Sequence, residues 1–456
     1  PLALFFLIGT ASATIATMVY SIPLSIRITS HAIRSLNNSP IEASISMGAT
    51  GKQTLTKVQL PMSKQMIVLG INQTVMAALS FVVIAALIAS PGLGGPIINA
   101  LTIRNVGDGF VAGLAVVFIA IMLDRSTSAA AKTKQTFVPP SKKEIQQRRL
   151  SIAGMGIFAI VCIWLSRNVL WAAIWPKQLD VSEIVASYTN TATDWTTDNL
   201  RFITVSFKDF ISNYVLNSIQ TLLADSPWFI TVTMIALIAY VLGGRKVTLL
   251  AIGLMLLIVA CGLWYETMVT LTQTLVATML TMILGVILGV WIGRSEKADK
   301  VLRPFLDAGQ TLPAFVYLVP ILGLFGPSRF TAIVTGIVYS IPVVVKIVGE
   351  GIKGVSTTMI EAATSAGSNA WQLITKVQLP AAKKSLLLAT NQGLIFVLAV
   401  VVIGGFVGSG GLGYLVIVGG SKPELQGKGL VAGFSILLLG VMIDRIAHAS
   451  ARKYGN

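Results

Sequence analysis

The polar residues of this chain lack the spacing of a catalytic site. The nearest approach to a phosphate-binding loop is Gly48-Ala49-Thr50-Gly51-Lys52-Gln53, where the glycine spacing is wrong and Gln53 replaces the Ser or Thr that would hold Mg²⁺. Each cysteine and histidine is isolated from a second metal ligand, at Cys162, Cys261, His31 and His448. No Ser-His-Asp set or carboxylate pair appears either. We therefore expect no catalytic residue, metal site or cofactor in this chain, and any ATP hydrolysis, with its Mg²⁺, would have to come from a partner.

Two segments, residues 39–61 and 358–380, share one polar pattern and are called the repeated segments below. Each has a Glu-Ala pair, a glycine six residues after the glutamate, and a final Leu-Pro pair. These residues are Glu42, Ala43, Gly48, Leu60 and Pro61 in the first segment, and Glu361, Ala362, Gly367, Leu379 and Pro380 in the second. The two segments are identical at 12 of 23 positions.

The spacing predicts two short helices joined by a turn and lying outside the bilayer. In the first segment Ser39 is the predicted N-cap, and Glu42 completes its capping box. Gly48 then ends the first helix, and the second runs to Pro61, which stops it. The second segment repeats this pattern with Thr358, Glu361, Gly367 and Pro380. A stiff unit of this kind can transmit a mechanical movement. The alternative is that the two glutamates serve only as helix caps.

Polar side chains within apolar helices are candidates for a transport path, because burying them costs free energy unless they pair or line water. Two Asn-Gln pairs follow the repeated segments by about three helical turns each. A further polar group precedes the second repeated segment. These residues are Asn72, Gln73, Asn391, Gln392, Gln310, Thr311 and Tyr317. The alternative is that they form interhelical hydrogen bonds.

The composition places these segments in a membrane protein. Of 456 residues, 54% are hydrophobic and 11% charged, with a mean hydropathy of +0.80. Apolar runs predict an all-α polytopic fold with about eleven transmembrane helices. They lie near 2–26, 64–90, 106–123, 150–174, 228–243, 247–264, 267–293, 312–326, 329–349, 384–408 and 428–443.

Loop charges predict the orientation of these helices. The net charge of +16 arises mainly from short loops, as expected for cytoplasmic loops, and does not indicate nucleic-acid binding. A basic cytoplasmic linker at 126–149 places the segment 176–227, with three basic and six acidic residues, outside. The same alternation places 294–311 and the C-terminus in the cytoplasm. The linker can be a solvated tether or a contact with anionic lipid.

Internal repetition at an offset of 319 residues divides the chain. Tyr20-Ser21-Ile22-Pro23 recurs from Tyr339, and after a one-residue slip Asp124-Arg125 recurs as Asp444-Arg445. We interpret 1–125 as a first copy, 126–149 as the linker, 150–264 as additional helices and 265–456 as a second copy. The first copy lacks counterparts of 267–319 and is interpreted as N-terminally truncated, and no signal peptide is indicated at Pro1.

The repeated segments resemble the EAA loop of importer-type ABC permeases, with Ser44, Val58 and Val377 as mild departures. The segment from Gln310 to Tyr317, with the Asn-Gln and Asp-Arg pairs, resembles the permeases of glycine betaine, proline betaine and choline importers. The resemblance implies a type I importer permease fold with five-helix core units, each repeated segment docking on an ABC ATPase subunit. It implies a bacterial inner-membrane protein in lipid that imports glycine betaine, proline betaine, choline or proline. An extracytoplasmic binding protein would deliver the solute.

Two alternatives remain open on the sequence. Permeases for methionine, sulfonates or other small solutes share the EAA loop and the five-helix unit. A secondary transporter would also show repeats, although it usually carries intramembrane acidic residues, which the helix interiors here almost lack.

Overall fold

The computed structural model describes residues 9–86, 91–131, 142–169 and 180–454, and in these ranges the chain is helical almost throughout. The predicted all-α polytopic class is confirmed. The first copy contains α1 Thr10–Arg34, α2 Asn38–Ser46, α3 Gly51–Thr54, α4 Leu60–Ala85, α5 Gly94–Ile103 and α6 Val106–Ala131. The intervening helices are α7 Lys142–Asn168, α8 Ser182–Phe210, α9 Asn217–Gln220, α10 Trp228–Gly243 and α11 Arg245–Ala260. The second copy contains α12 Trp264–Arg294, α13 Glu296–Thr311, α14 Ala314–Phe325, α15 Arg329–Lys353, α16 Thr357–Ser365, α17 Ala370–Gln372, α18 Leu379–Ala381, α19 Lys383–Ile403, α20 Gly411–Ser421 and α21 Gln426–Tyr454.

The order and packing of helices repeat between the copies. Helix α1 packs against α4, and α4 against α6, just as α15 packs against α19 and α19 against α21. The short helices α5 and α20 are also equivalent, because each begins within a Gly-Leu-Gly sequence and packs on the last helix of its copy. The sequence repeat therefore corresponds to a repeat in structure.

A row of glycines brings α12 close to α15. A Cβ atom added at Gly289 would lie 2.6 Å from Cβ of Val348, and Gly285 and Gly293 meet valine and isoleucine side chains in the same way. Small residues at such spacing let two membrane helices approach closely and gain dispersion contacts along their length. Helix α12 thus supports α15 of the second copy through close packing.

The two copies meet through a mixed apolar cluster. Phe315, Leu318 and Leu322 of α14 are almost fully buried and pack against Ile97 of α5 and Val116 of α6. A helix of the second copy therefore lies against the last two described helices of the first. This contact positions the faces that enclose the cavity described below.

The number of apolar helices differs from the eleven predicted. Among the described residues, seven helices are long and apolar enough to cross a membrane, or up to nine if each of two bent pairs is one span. Helices α10 and α11 have only 16 residues each, and α14 has 12, so none of them meets the length of a span alone. Predicted residues 2–8, 87–90 and 170–174 lie outside the described ranges.

Two predicted connections are largely helical. Residues 126–131 extend α6 and residues 142–149 begin α7, so only 132–141 of the predicted linker lie outside the described residues. Within 176–227, α8 is a 29-residue helix that packs against α6 and α14. Asn190 of α8 accepts a hydrogen bond from the Gly107 N–H at 2.7 Å. A third predicted connection, 294–311, contains α13 from Glu296 onward. Helices α8 and α13 are amphipathic with few continuous apolar residues, so predictions made from apolar runs miss them.

Candidate functional site

Each repeated segment begins with an exposed helix that ends at its glycine. Gly48 has φ +79°, its N–H donates to the Ile45 carbonyl at 2.9 Å, and the Ala49 N–H donates to the Ser44 carbonyl at 3.1 Å. Gly367, with φ +82°, has the same pair of bonds around it. This is the Schellman arrangement, which needs a residue in the left-handed region and so favours glycine. The predicted helix ends are confirmed.

The predicted capping boxes at Ser39 and Thr358 are wrong. Both helices begin two residues earlier than predicted, α2 with Asn37 as its N-cap and α16 with Ser356. Glu42 and Glu361 therefore lie beyond the first turn and do not cap these helices. Asn37 displaces Ser39 because its side chain accepts from the Ser39 N–H at 3.2 Å.

Capping boxes are instead found at the start of the second short helix in each segment. The Thr50 N–H donates to Gln53 at 2.8 Å, and Gln53 donates back to the Thr50 hydroxyl at 3.4 Å. Asn369 and Gln372 form the equivalent pair, at 2.9 and 2.8 Å. Gln53, which excluded a phosphate loop on the sequence, thus has a structural role.

Pro61 does not stop the second helix as predicted, whereas the helix at Pro380 ends one residue later, at Ala381. In the first copy a π-helical turn, Leu55–Gln59, runs directly into α4, with Pro61 in its first turn. In the second copy the turn Leu373–Gln378 runs into α18, and the chain bends at Ala382 before α19. Proline is tolerated in the first turn of a helix, and the wider turn before it removes the clash with the preceding carbonyl. The first repeated segment is therefore continuous with a long apolar helix, and the second is joined to one through the bend at Ala382.

The helices of the repeated segments leave apolar side chains in solvent. Every residue of α2 and α16 is at least partly exposed, including Glu42, Ala43, Glu361 and Ala362. Met47 is 88% exposed in the first segment, and Trp371 is 72% exposed in the second. Leu60, Pro61 and Pro380 are also exposed, while Leu379 is half-buried. A compact, capped unit with an uncovered Met or Trp is suited to contact another protein.

A cavity of about 880 Å³ lies between the two copies. Its lining contains seven residue pairs related by the offset of 319. The pairs are Tyr20 and Tyr339, Leu24 and Val343, Leu69 and Leu388, Gln73 and Gln392, Met76 and Ile395, Ala77 and Phe396, and Ser80 and Ala399. Equivalent faces of α1 and α15, and of α4 and α19, therefore enclose one space.

The cavity also contains aromatic and charged groups. Tyr339 packs against Phe396 with ring centres 5.6 Å apart, and Tyr20 stacks on Phe81 at 5.0 Å. Charged lining residues come from α6 and α13, namely Asp124, Arg125 and Asp307. Asp307 forms an ion pair with Lys346, which also donates to Gln310 at 2.6 Å. A space with both apolar and charged walls of this size can hold a small polar molecule.

Four of the seven predicted path residues line this cavity, namely Asn72, Gln73, Gln310 and Gln392. Asn391 is buried elsewhere, with its amide nitrogen 3.3 Å from Nε2 of His448. Tyr317 donates its hydroxyl to the Gly309 carbonyl at 2.7 Å and packs edge-on against Tyr339. The side chain of Thr311 lies outside the described residues. The alternative of interhelical hydrogen bonding fits Asn72, Asn391 and Tyr317.

Sequence reasoning missed the cavity roles of Tyr20, Tyr339, Phe396 and Arg125. The two tyrosines were visible as the start of a repeated Tyr-Ser-Ile-Pro, and the arginine as half of a repeated Asp-Arg pair. Placing equivalent positions of a duplicated helix opposite one another would have found the tyrosines. No spacing signal indicates Phe396, because its equivalent is Ala77.

Comparison with known proteins gives matches over most of the chain. The family model for binding-protein-dependent transport system inner membrane components matches residues 2–132 and 281–456. The chain is 29% identical over 454 residues to the trimethylamine N-oxide transport system permease protein TmoV of Pelagibacter ubique, covering 98% of this chain and 63% of that relative. It is 35% identical over 264 residues to the glycine betaine/proline betaine transport system permease protein ProW of Escherichia coli, covering 57% of this chain and 74% of that one.

Solved structures give a weaker match. A chain of the MetNI methionine ABC transporter in inward-facing conformations aligns with a TM-score of 0.37 and 23% identity, covering 41% of this chain and 92% of that chain. The predicted resemblance to permeases of betaine importers is confirmed by the relatives.

Proposed function

The chain belongs to the family of binding-protein-dependent transport system inner membrane components, and from this premise we propose that it is the permease of an ATP-driven importer. The solute is a small trimethylated ammonium compound, such as glycine betaine or trimethylamine N-oxide. The observation that carries the proposal is the cavity lined by seven equivalent residue pairs. One polypeptide supplies both walls of the path, and rotation of one copy against the other exposes the cavity to each side in turn.

The repeated segments are the proposed docking sites for two ATPase subunits. Each presents an exposed helix ended by glycine and is continuous, through a π turn, with a helix that lines the cavity or leads into it. Closure of the ATPase dimer would move α2 and α16, and the stiff connection would pass that movement to α4 and α19. ATP and Mg²⁺ are bound by the partner. The segments and the C-terminus therefore face the cytoplasm.

The relatives support the choice of solute. The names of the trimethylamine N-oxide permease and the glycine betaine/proline betaine permease both specify solutes with a methylated, positively charged nitrogen and a negative oxygen. The aromatic lining formed by Tyr20, Tyr339 and Phe396 suits such a group through cation–π attraction. An extracytoplasmic binding protein delivers the solute, in keeping with the family description.

The test is uptake into proteoliposomes that contain the full-length protein with its ATPase and binding protein. Radiolabelled glycine betaine and trimethylamine N-oxide are supplied with ATP, and a non-hydrolysable nucleotide serves as the control. We expect saturable, ATP-dependent accumulation of at least one solute, with competition by the other. Accumulation driven by an ion gradient without ATP would overturn the proposal in favour of a secondary transporter, and ATP-dependent uptake of methionine or a sulfonate alone would overturn the solute class.

A further inference from the structure

Arg125 breaks the symmetry of the central cavity. It and Arg445 are equivalent residues, since each follows an aspartate near the end of the last helix of its copy, and both are exposed. Arg125 lines the central cavity, whereas Arg445 lines a different cavity of about 720 Å³ with Arg27, Lys246 and Arg452. The central cavity therefore receives this arginine from the first copy alone.

The charge of Arg125 has no partner within the described part of the chain. Its neighbour Asp124 accepts instead from the Asn72 amide at 2.7 Å, and Asp307 is paired with Lys346. An exposed guanidinium in the wall of a partly open cavity is suited to a carboxylate or another negative oxygen, which it can bind through charge-assisted hydrogen bonds. Arg125 thus offers a local site for a negative oxygen.

The aromatic groups are unequally distributed as well. Tyr20 and Tyr339 are equivalent, but Phe396 replaces Ala77, so the second copy presents two adjacent aromatic rings to the cavity and the first copy presents one. Aromatic faces attract methylated ammonium groups, whose charge is spread over methyl hydrogens and which are weakly hydrated. The aromatic surface is therefore richest on the wall provided by the second copy.

We propose that the cavity binds a trimethylammonium zwitterion in one orientation. The methylated ammonium lies against Tyr20, Tyr339 and Phe396, and the negative oxygen is bound by Arg125. This inference rests on the proposed function and adds the basis of selection, namely that the permease itself distinguishes zwitterions from simple cations. A cation such as choline carries the same trimethylammonium group but has no negative oxygen to pair with Arg125. Its positive charge is also repelled by that of Arg125.

The test measures direct binding, because uptake also reflects the choice made by a binding protein. Saturation-transfer NMR on the full-length permease with its ATPase in nanodiscs, without nucleotide, gives dissociation constants for glycine betaine and choline. We expect the native protein to prefer glycine betaine by about tenfold or more, as the loss of one charge-assisted hydrogen bond would produce. Arg125→Gln should abolish this preference by weakening glycine betaine binding and leaving choline binding unchanged or stronger.

Three further variants make the result specific. Arg125→Lys keeps the charge and should retain most of the preference. Arg445→Gln removes the equivalent arginine outside the cavity and should match the native protein. Tyr339→Leu should weaken both ligands together, since both carry the trimethylammonium group.

The failure of this inference differs from that of the proposed function. A native protein without preference for glycine betaine, or an Arg125→Gln variant that keeps it, would overturn the oriented site even if ATP-dependent uptake is normal. Uptake without saturable binding of glycine betaine to the complex would overturn it too. Absence of both uptake and binding would overturn the proposed function as well as the oriented site.

Discussion

Asn72 and Asn391 occupy the same position of the repeat, yet their amides have different partners. Asn72 donates to Asp124 at 2.7 Å and accepts from Thr127 at 2.8 Å, so both ends of its amide are satisfied. The amide nitrogen of Asn391 lies 3.3 Å from His448, and its buried oxygen has no hydrogen-bond partner in the described residues. Duplication within one chain has allowed equivalent residues to take different structural roles, which two identical subunits could not do.

A row of glycines sets the helix packing of the second copy. There α15 is packed tightly against α12 through Gly285, Gly289 and Gly293. Changes that add side chains along this row should therefore force the two helices apart.

The largest effect is expected at the glycines that end α2 and α16. Tryptophan at Gly48 or Gly367 would be strained at φ near +80° and would displace the turn. If both segments dock equally, Gly48→Trp and Gly367→Trp each lower ATP-dependent uptake at least tenfold while ATP hydrolysis continues. Uptake and ATPase assays in proteoliposomes provide the measurement.

Lys52→Trp is the control for the size of the introduced side chain, because the equivalent residue in the second copy is already Trp371. It should leave uptake near the native level. Normal uptake by a well-inserted Gly367→Trp variant would contradict the docking role, and a defect in only one copy would show that the segments contribute unequally.

The next effect concerns the tightly packed second copy. Gly289→Leu places a side chain where even Cβ would lie 2.6 Å from Val348, so α12 and α15 must separate, at a cost of about 1–3 kcal/mol or more. We expect a clear drop in the melting temperature of the detergent-solubilised protein. Gly253→Leu in α11, where no atom lies within 4 Å of an added Cβ, should melt like the native protein. Equal melting of the two variants would show that the glycine row does not support the fold.

A smaller effect should separate the two asparagines. Asn72→Leu removes two short hydrogen bonds and leaves Asp124 without its donor, which costs about 1–3 kcal/mol. Asn391→Leu removes one long contact and an unsatisfied buried oxygen, and should be close to neutral. Chemical denaturation of both variants compares them directly, and a larger loss for Asn391→Leu would reverse our ranking of the two sites.

The smallest effect is expected inside the cavity. Ala77→Phe gives the first copy the aromatic residue of the second and narrows the cavity without adding charge. We expect a few-fold rise in the dissociation constant of glycine betaine for the permease with its ATPase, whereas Ser80→Ala, which copies Ala399, should leave that constant unchanged. An unaltered dissociation constant in Ala77→Phe would place the solute away from this wall.

The sequence predicted the duplication, the helical class and the helix ends at Gly48 and Gly367, because each depends on local residue type or on a repeat that is visible directly. It did not predict that α8 is a continuous helix from Ser182 to Phe210, since its polar face interrupts the apolar runs from which helices were predicted. Leu60-Pro61 was misinterpreted for a different reason. The π turn that runs into the helix containing Pro61 has no recognisable residue pattern. The placing of Arg125 and Arg445 in different cavities depends on tertiary packing alone.

The π turns before Pro61 and Pro380 set the angular phase of the helices that follow. They end at the equivalent residues Gln59 and Gln378, so both copies have the wide turn at the same place in the repeat. Deleting one residue from such a turn would rotate the downstream helix by about 100° about its axis, the angle that one residue subtends. In the first copy that rotation would carry Gln73 away from the cavity while α2 stayed in place. The length of the turn therefore decides which face of the following helix lines the cavity.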